Sequence, residues 1–274
     1  MNRQYKSSVF ISLFGEKETL LELYNAIQET NYDKNTEIQI TTLENVLYME
    51  QMNDISFVID GKIVVLIEHQ STINPNMPLR MLLYIARTYE RITQRDDLYK
   101  QSRMTIPRPE FIVLYNGEDP YPDDAVLKLS DMFAQYGEKC PIELELTVRV
   151  FNINRGHNPK LAQKSEVLDG YEKFIATIRD YEKAGMSRES AIRQSVIDCI
   201  NRNILKEFLE ANGSEVVNML LTEWNTADAL RVRWQEGLQE GKIQTAVNML
   251  NMGIDINTIA KATDLFVDDV LRLQ

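Results

Sequence analysis

The chain has 274 residues, 44% hydrophobic and 26% charged, which excludes a disordered polar protein and is enough for one or two packed domains. No apolar run reaches the ~18 residues of a membrane-spanning helix, and Cys140 and Cys199 are too few and too far apart for a disulfide framework or a thiolate metal site. A formal net charge of −11 should repel a polyanion at long range, so a nucleic-acid partner would need a local basic surface or cations that offset the carboxylates. The opening MNRQYKSSVFISLFGEKE has a basic end and a short apolar patch but no small-residue cleavage site, so no signal peptide is expected. Sparse cysteine fits a reducing cytoplasm.

In chain order, LFGEKETLLELYNAI places Leu20, Leu23, Tyr24 and Ile27 on one helical face. The alternation from Glu37 to Thr41 reads as a strand. Ile55–Ile59 and Ile63–Ile67 read as two more strands, with Asp60-Gly61 signalling a tight hairpin between them. The second is apolar on both faces and is expected at the centre of a sheet. Asn76 and Pro78 suit a helix start, and the helix should run from about Pro78 to Thr93 with Leu82, Ile85, Ala86, Tyr89 and Ile92 as its apolar stripe. Phe111–Tyr115, stopped by Asn116-Gly117, and Leu144–Phe151 are further strands. Beyond residue 152 the pattern turns helical, at about 160–182, 187–210 and 214–223, with Gly185 and Gly213 as punctuation. A polar helical stretch over Trp224–Gly241 leads into two or three short helices separated at Gly253 and near Asp264. The division expected is residues 1–155 as an α/β domain, 156–230 as a helical region and 231–274 as a small helical tail; no internal repeat is visible.

The residues with chemistry sit on the hairpin. Asp54 opens one strand, and Glu68, His69 and Gln70 close the next. Acidic residues at strand ends ordinarily serve solvation, but Glu68 and Gln70, two apart, share a strand face. If the hairpin brings Asp54 to that face, two carboxylates converge and can ligate Mg²⁺ through hard oxygens. Register tests this. A two-residue loop pairs 54 with 67 and puts Glu68 on the opposite face from Asp54, which would remove the site, whereas a three-residue loop, Asp60-Gly61-Lys62, pairs 54 with 68. The chemistry therefore predicts a three-residue turn with Gly61 at positive φ, or a bulge in one strand.

The run NDISFVIDGKIVVLIEHQSTINPNMPLRMLLYIARTYERI resembles the recombination-promoting nucleases, also named putative transposases, within the PD-(D/E)XK nuclease superfamily. KSSVFISLFGEKETLLELYNAI, PRPEFIVLYNGEDPYPDD and FNINRGHNP are similar to the same group, so the likeness spans most of the first ~155 residues. The resemblance implies a restriction-endonuclease-like α/β core of helix, three-stranded antiparallel meander, helix and further strand, followed by a helical C-terminal region. It implies that Asp54 and Glu68 hold Mg²⁺ or another divalent cation, with the His69 carbonyl as a further ligand, and that Glu68-His69-Gln70 is an E-x-Q form of the (D/E)-x-K motif. A lysine in that motif would neutralise charge and orient water; Gln70 can hydrogen-bond but supplies no cation. Ser7 departs from the pattern, standing where close relatives would carry an acid. The superfamily's first helix sometimes lends a carboxylate, which makes Glu22 an accessory candidate beside its plain reading as a surface residue.

Arg80, Tyr84, Arg87, Arg91 and Arg95 recur at helical spacing opposite the apolar stripe. Such a row is either a solvated face or a phosphate-binding one, with Arg80 and Arg87 the phosphate candidates and Arg80 nearest Gln70 in sequence. His69 and His157 read as packed or loop residues, and neither a hydrolase triad nor a GxxxxGK loop is present. The tail has the rhythm of a helix-turn-helix, but its basic residues are only Lys261 and Arg272 against Asp264, Asp268 and Asp269. Homo-oligomerisation through the C-terminal helices, or restraint of the nuclease domain, suits it better than groove binding. Two functions follow: a Mg²⁺-dependent DNA endonuclease tied to recombination or mobile DNA, or an inactive nuclease-fold module that binds nucleic acid or protein.

Overall fold

The computed structural model describes residues 8–40, 54–68, 73–134 and 141–273. Helices α1 (Val9–Phe14) and α2 (Lys17–Gln28) precede strands β1 (Ile38–Ile40), β2 (Asp54–Ile59) and β3 (Lys62–Glu68). Helix α3 (Met77–Ile92) leads through a short 3₁₀ turn to β4 (Arg108–Tyr115), β5 (Asp124–Lys128) and β6 (Thr147–Asn152). Helices α4 (Pro159–Lys164), α5 (Glu166–Lys183), α6 (Arg188–Asn201), α7 (Lys206–Asn251), α8 (Ile256–Thr263) and α9 (Val267–Leu271) complete the chain. It divides into two compact units, Met1–Leu220 and Leu221–Gln274. Among the described residues no helix is long and apolar enough to cross a membrane.

The sheet is mixed and six-stranded, in the order β1-β2-β3-β4-β6-β5. β1, β2 and β3 form an antiparallel meander, β3, β4 and β6 run parallel, and β5 returns antiparallel at the edge. The expected order of helix, three strands, helix and strand is thus present, with β3 between β2 and β4. The short edge strand β5 adds a pairing that its charged ends, Asp124 and Lys128, hide in the sequence.

One sheet face is covered by α3. Met77, Met81, Tyr84 and Ile85 pack with Ile63, Phe111, Val113, Tyr115, Val148 and Val150. The helix is rotated relative to the expected stripe: Tyr84, aligned with the arginines in sequence, is only 3% exposed, while Ala86 and Ile92 face solvent. Burying the large tyrosine ring outweighs the alanine and isoleucine. On the other face Phe57 of β2 meets Tyr24 of α2 edge-on, with ring centroids 5.5 Å apart.

The amino edge of the parallel strands is pinned by one carboxylate. Glu110, with its side chain 10% exposed, accepts from Tyr24 Oη (2.9 Å), Gln28 Nε2 (2.6 Å) and Arg108 Nη2 (3.1 Å), with Lys62 Nζ 3.8 Å away. Burial and the neighbouring Glu110 together raise the Tyr24 pKa. The carboxylate is held as an acceptor by donors on three elements, a fully partnered arrangement for a shielded charge.

In the helical part, Gly185 does end a helix in the left-handed region (φ 92°), but Gly213 lies inside α7. A Cβ there would sit 3.2 Å from Val196 Cγ1, so this glycine permits close packing with α6 instead of ending a helix. The break falls earlier, where Asn203 and Leu205 adopt positive φ. In the second unit, Ala246, Ile259, Ala260, Leu265 and Val270 form a separate small core.

The β2–β3 turn supplies a stability test. Asp60 and Gly61 both have positive φ (47° and 69°), and no atom lies within 4 Å of a Cβ added at Gly61. Gly61→Ala should therefore cost about 1 kcal/mol through backbone strain alone, read as a lower urea midpoint with an unchanged slope; an unaltered midpoint would contradict the turn.

Candidate functional site at the carboxyl edge of the sheet

The parallel strands β3, β4 and β6 end together, at Glu68, Tyr115 and Asn152, and the antiparallel β2 begins at the same edge with Asp54. Across the sheet Glu68 is in register with Leu114, and Leu114 with Phe151. This is the edge at which open α/β sheets bind ligands. Asp54 and Glu68 thus stand on adjacent strands at this edge, the strand-end positions read from the sequence.

The turn joining those strands differs from expectation. It has two residues, Asp60-Gly61, pairing Ile59 with Lys62 and Asp54 with Ile67, without a bulge between. The expected three-residue turn is therefore corrected, although Gly61 does take positive φ. The physical reason lies in the turn residues: consecutive positive φ values are the conformation a two-residue hairpin needs, and Asp-Gly supplies it readily. Tyr32 Oη also donates to Asp60 Oδ2 at 2.9 Å, tying the turn to the segment after α2. Glu68 consequently falls one step outside the Asp54 pairing, so on this regular ladder positions 54 and 68 belong to opposite faces, against the shared face that the site needs. His69 and Gln70 lie outside the described residues, as do the side chains of Asp54 and Glu68. No group of three or more histidine, cysteine, aspartate or glutamate side chains suited to a metal occurs among the described residues.

Arg80 lies in the first turn of α3, half-buried, with Nη1 3.5 Å from Met77 Sδ. Because α3 connects the end of β3 to the start of β4, its amino end belongs to the carboxyl edge. Arg87 is seven residues on, about 10 Å farther along the axis at ~1.5 Å per residue. The five-membered stripe does not survive whole: Tyr84 is in the core, and the helix ends at Ile92, before Arg95. Glu22, half-buried on α2, accepts from the Val167 backbone N–H at 3.2 Å. That N–H is one of the unpaired donors in the first turn of α5, where Ser165 Oγ caps Leu168.

A second polar centre at this edge was not read from the sequence. The turns after β4 and β6 face α5 across a cleft of about 360 Å³. Asn152, 1% exposed, donates to the Tyr121 carbonyl and accepts from Asn154 N. Asn154 Nδ2 donates to the Gly117 carbonyl at 2.9 Å. Arg179 of α5 reaches into this network, donating from Nη1 to Asn154 Oδ1 (2.6 Å) and from Nη2 to the Asn116 carbonyl and Oδ1. His157 pairs with Asp123 at 2.6 Å, a loop role as expected. Arg155 makes a two-pronged pair with Asp180 that holds the Asp180 carboxyl below its ordinary range. Burial pushes the Glu172 carboxyl up and the Arg179 guanidinium down. The asparagines of YNGEDP and FNINRGHNP were the available signal; their partner on α5 is more than twenty residues further on and carries no motif.

The profile of the putative transposase, YhgA-like family matches residues 42–183, more than half of the chain and spanning both polar centres. The inactive recombination-promoting nuclease-like protein RpnE of Escherichia coli strain K12 is 25% identical over 234 residues, covering 77% of this chain and 74% of that protein. No solved structure matches the chain. On the strength of the profile match, the chain belongs to the putative transposase, YhgA-like family.

Proposed function

We propose that the chain is a nuclease-fold protein that acts on DNA, with Mg²⁺-dependent phosphodiester hydrolysis centred on Asp54, Glu68 and Gln70. The observation carrying this reading is that Asp54 and Glu68 occupy adjacent strand ends at the carboxyl edge of a mixed sheet. The order α2, β1–β2–β3, α3, β4 is compatible with a PD-(D/E)XK core.

The donor types fit a hard divalent cation, since carboxylate oxygens are its preferred ligands. Asp54 and Glu68 would hold it, and when bound it would supply Lewis-acid polarisation of the phosphate and a more acidic attacking water. Gln70 would orient that water or a phosphate oxygen by hydrogen bonding, without adding charge. Arg80, at the amino end of α3, would supply the positive charge that a motif lysine gives elsewhere, and Arg87 would contact phosphate farther along the helix. Joint ligation by Asp54 and Glu68 requires the chain to leave the regular ladder beside one of them, because their positions do not pair. Glu22 belongs to the α5 cap in this reading, outside the metal centre.

A second reading, a nuclease-fold module that binds without cutting, draws on that same register, on Gln70 in place of lysine, and on the word "inactive" in the name of the matched relative. Nicking of supercoiled plasmid separates the two. Wild type with Mg²⁺ should nick, while Asp54→Ala and Glu68→Ala should each fall at least about a hundredfold, the scale of losing a charge-stabilising group. Equal nicking by all three would remove the proposed centre, and none by any would favour the binding module. Glu22→Ala should lower the urea midpoint by about 1 kcal/mol, as for other lost helix caps. Glu22→Gln, which keeps an acceptor, should recover most of it; equal loss in both would contradict the cap.

A further inference from the structure

The cleft beneath the β4 and β6 turns holds a guanidinium that no carboxylate bonds. Arg179 is bonded only to neutral amide and carbonyl oxygens, those of Asn116 and Asn154. No carboxylate lies within ion-pair distance of it among the described residues, and its Nε–H has no acceptor there. Glu118 and Glu182 act on it only through space. Lys183, one turn farther along α5 and lining the same cleft, likewise has no ion-pair partner among the described residues. Of the other charged groups in the lining, Glu118 and Asp119 are exposed carboxylates. Asp180 is bound by Arg155 and His157 by Asp123, and Glu172 is half-buried with its carboxyl pushed up by burial. Shielded charges are ordinarily paired; this guanidinium is fixed in place with donors to spare.

From this geometry we infer that the cleft is a binding site for a phosphomonoester, held by Arg179 with Lys183 as the second cation. A monoester carries a charge of about −2 near neutral pH and can take a charge-assisted hydrogen bond from each of these two cations, whereas a diester carries half of that charge. Glu118 and Asp119, exposed in the lining, oppose the long negative surface of a duplex more than a single terminal group, which the cations can hold at close range. The cleft lies at the small end of the ~300–1,000 Å³ usual for ligand pockets, enough for one nucleotide unit. The phosphate has two sources with this chemistry: the end of a DNA strand or a free mononucleotide. Only the first rests on the DNA reading above, and in that case the strand end lies on the same sheet edge as Asp54 and Glu68. Adjacent strands are ~4.8 Å apart, so the end of β3 and that of β6 are separated by about two strand spacings.

The test uses the full chain in EDTA, so that metal-dependent cleavage plays no part. Fluorescence anisotropy compares a short single-stranded oligonucleotide bearing a 5′-phosphate with the same strand ending in a 5′-hydroxyl, and calorimetry follows deoxyadenosine 5′-monophosphate. A strand-end site gives at least about tenfold tighter binding of the phosphorylated strand, the scale of one charge-assisted hydrogen-bond pair. A nucleotide site gives saturable monophosphate binding without that preference. In either case Lys183→Ala, an exposed substitution, should weaken phosphate binding about threefold to tenfold. Arg179→Gln should abolish it, in protein whose thermal melt shows it folded. Asp54→Ala should leave phosphate binding intact even where it abolishes nicking, so failure of the nuclease reading is distinguishable from failure of this one. Absence of both the strand preference and monophosphate binding, or binding unaffected by Lys183→Ala and by folded Arg179→Gln, overturns the site.

Discussion

The register of β2 against β3 constrains everything that can happen at the carboxyl edge of the sheet. It is set at Asp60-Gly61 and propagated by packing: Val58 opposite Ile63 belongs to the face covered by α3, and Phe57 lies against Tyr24 on the face covered by α2. Slipping the hairpin by one residue would move every side chain of β2 to the wrong face and take Phe57, Ile55 and Ile59, all buried, out of their packing. Even at ~2 kcal/mol for each buried side chain, that exceeds what a more convenient pairing of two carboxylates could return. The hairpin therefore keeps its two-residue turn, and any convergence of Asp54 with Glu68 has to come from local departure at the strand ends. Fold and site ask for different registers, and the core decides.

The two edges of the sheet then divide the labour. At the amino edge the shielded carboxylate of Glu110 is surrounded by donors from α2, β3 and β4, which neutralises it and fixes the helix on the sheet. At the carboxyl edge the turns after β4 and β6 bring the Asn116 and Asn154 amides to the Arg179 guanidinium of α5. The asparagines there satisfy backbone groups of the turns and also orient Arg179. A rigid turn network and an under-neutralised cation coexist because neutral amides hold the guanidinium in position without cancelling its charge.

Much of the fold was legible because its signals are local. The α2 face with Leu20, Leu23 and Tyr24, the hairpin at Asp60-Gly61, the central place of β3 and the helix after Asn76 follow from periodicity and turn chemistry. What was misread depends on tertiary packing. Tyr84 looks amphipathic among arginines until the sheet buries its ring. Gly213 looks like a helix stop until Val196 is seen against it. For the candidate site, the sequence placed Asp54 and Glu68 at neighbouring strand ends, but it inferred turn length from the desired chemistry when Asp-Gly already favoured the shorter turn. Arg179 could not have been read at all, because its partners come from turns after two different strands.

The central claim is that Asp54 and Glu68 act as one ligand pair despite their offset in the ladder. Titration of the protein with Mn²⁺, followed by the loss of the free-ion electron paramagnetic resonance signal, tests it most directly. The account predicts one competable site that Mg²⁺ displaces, lost equally on Asp54→Ala, on Glu68→Ala and on the double substitution. Losses that simply add, or a site untouched by either single substitution, would contradict it.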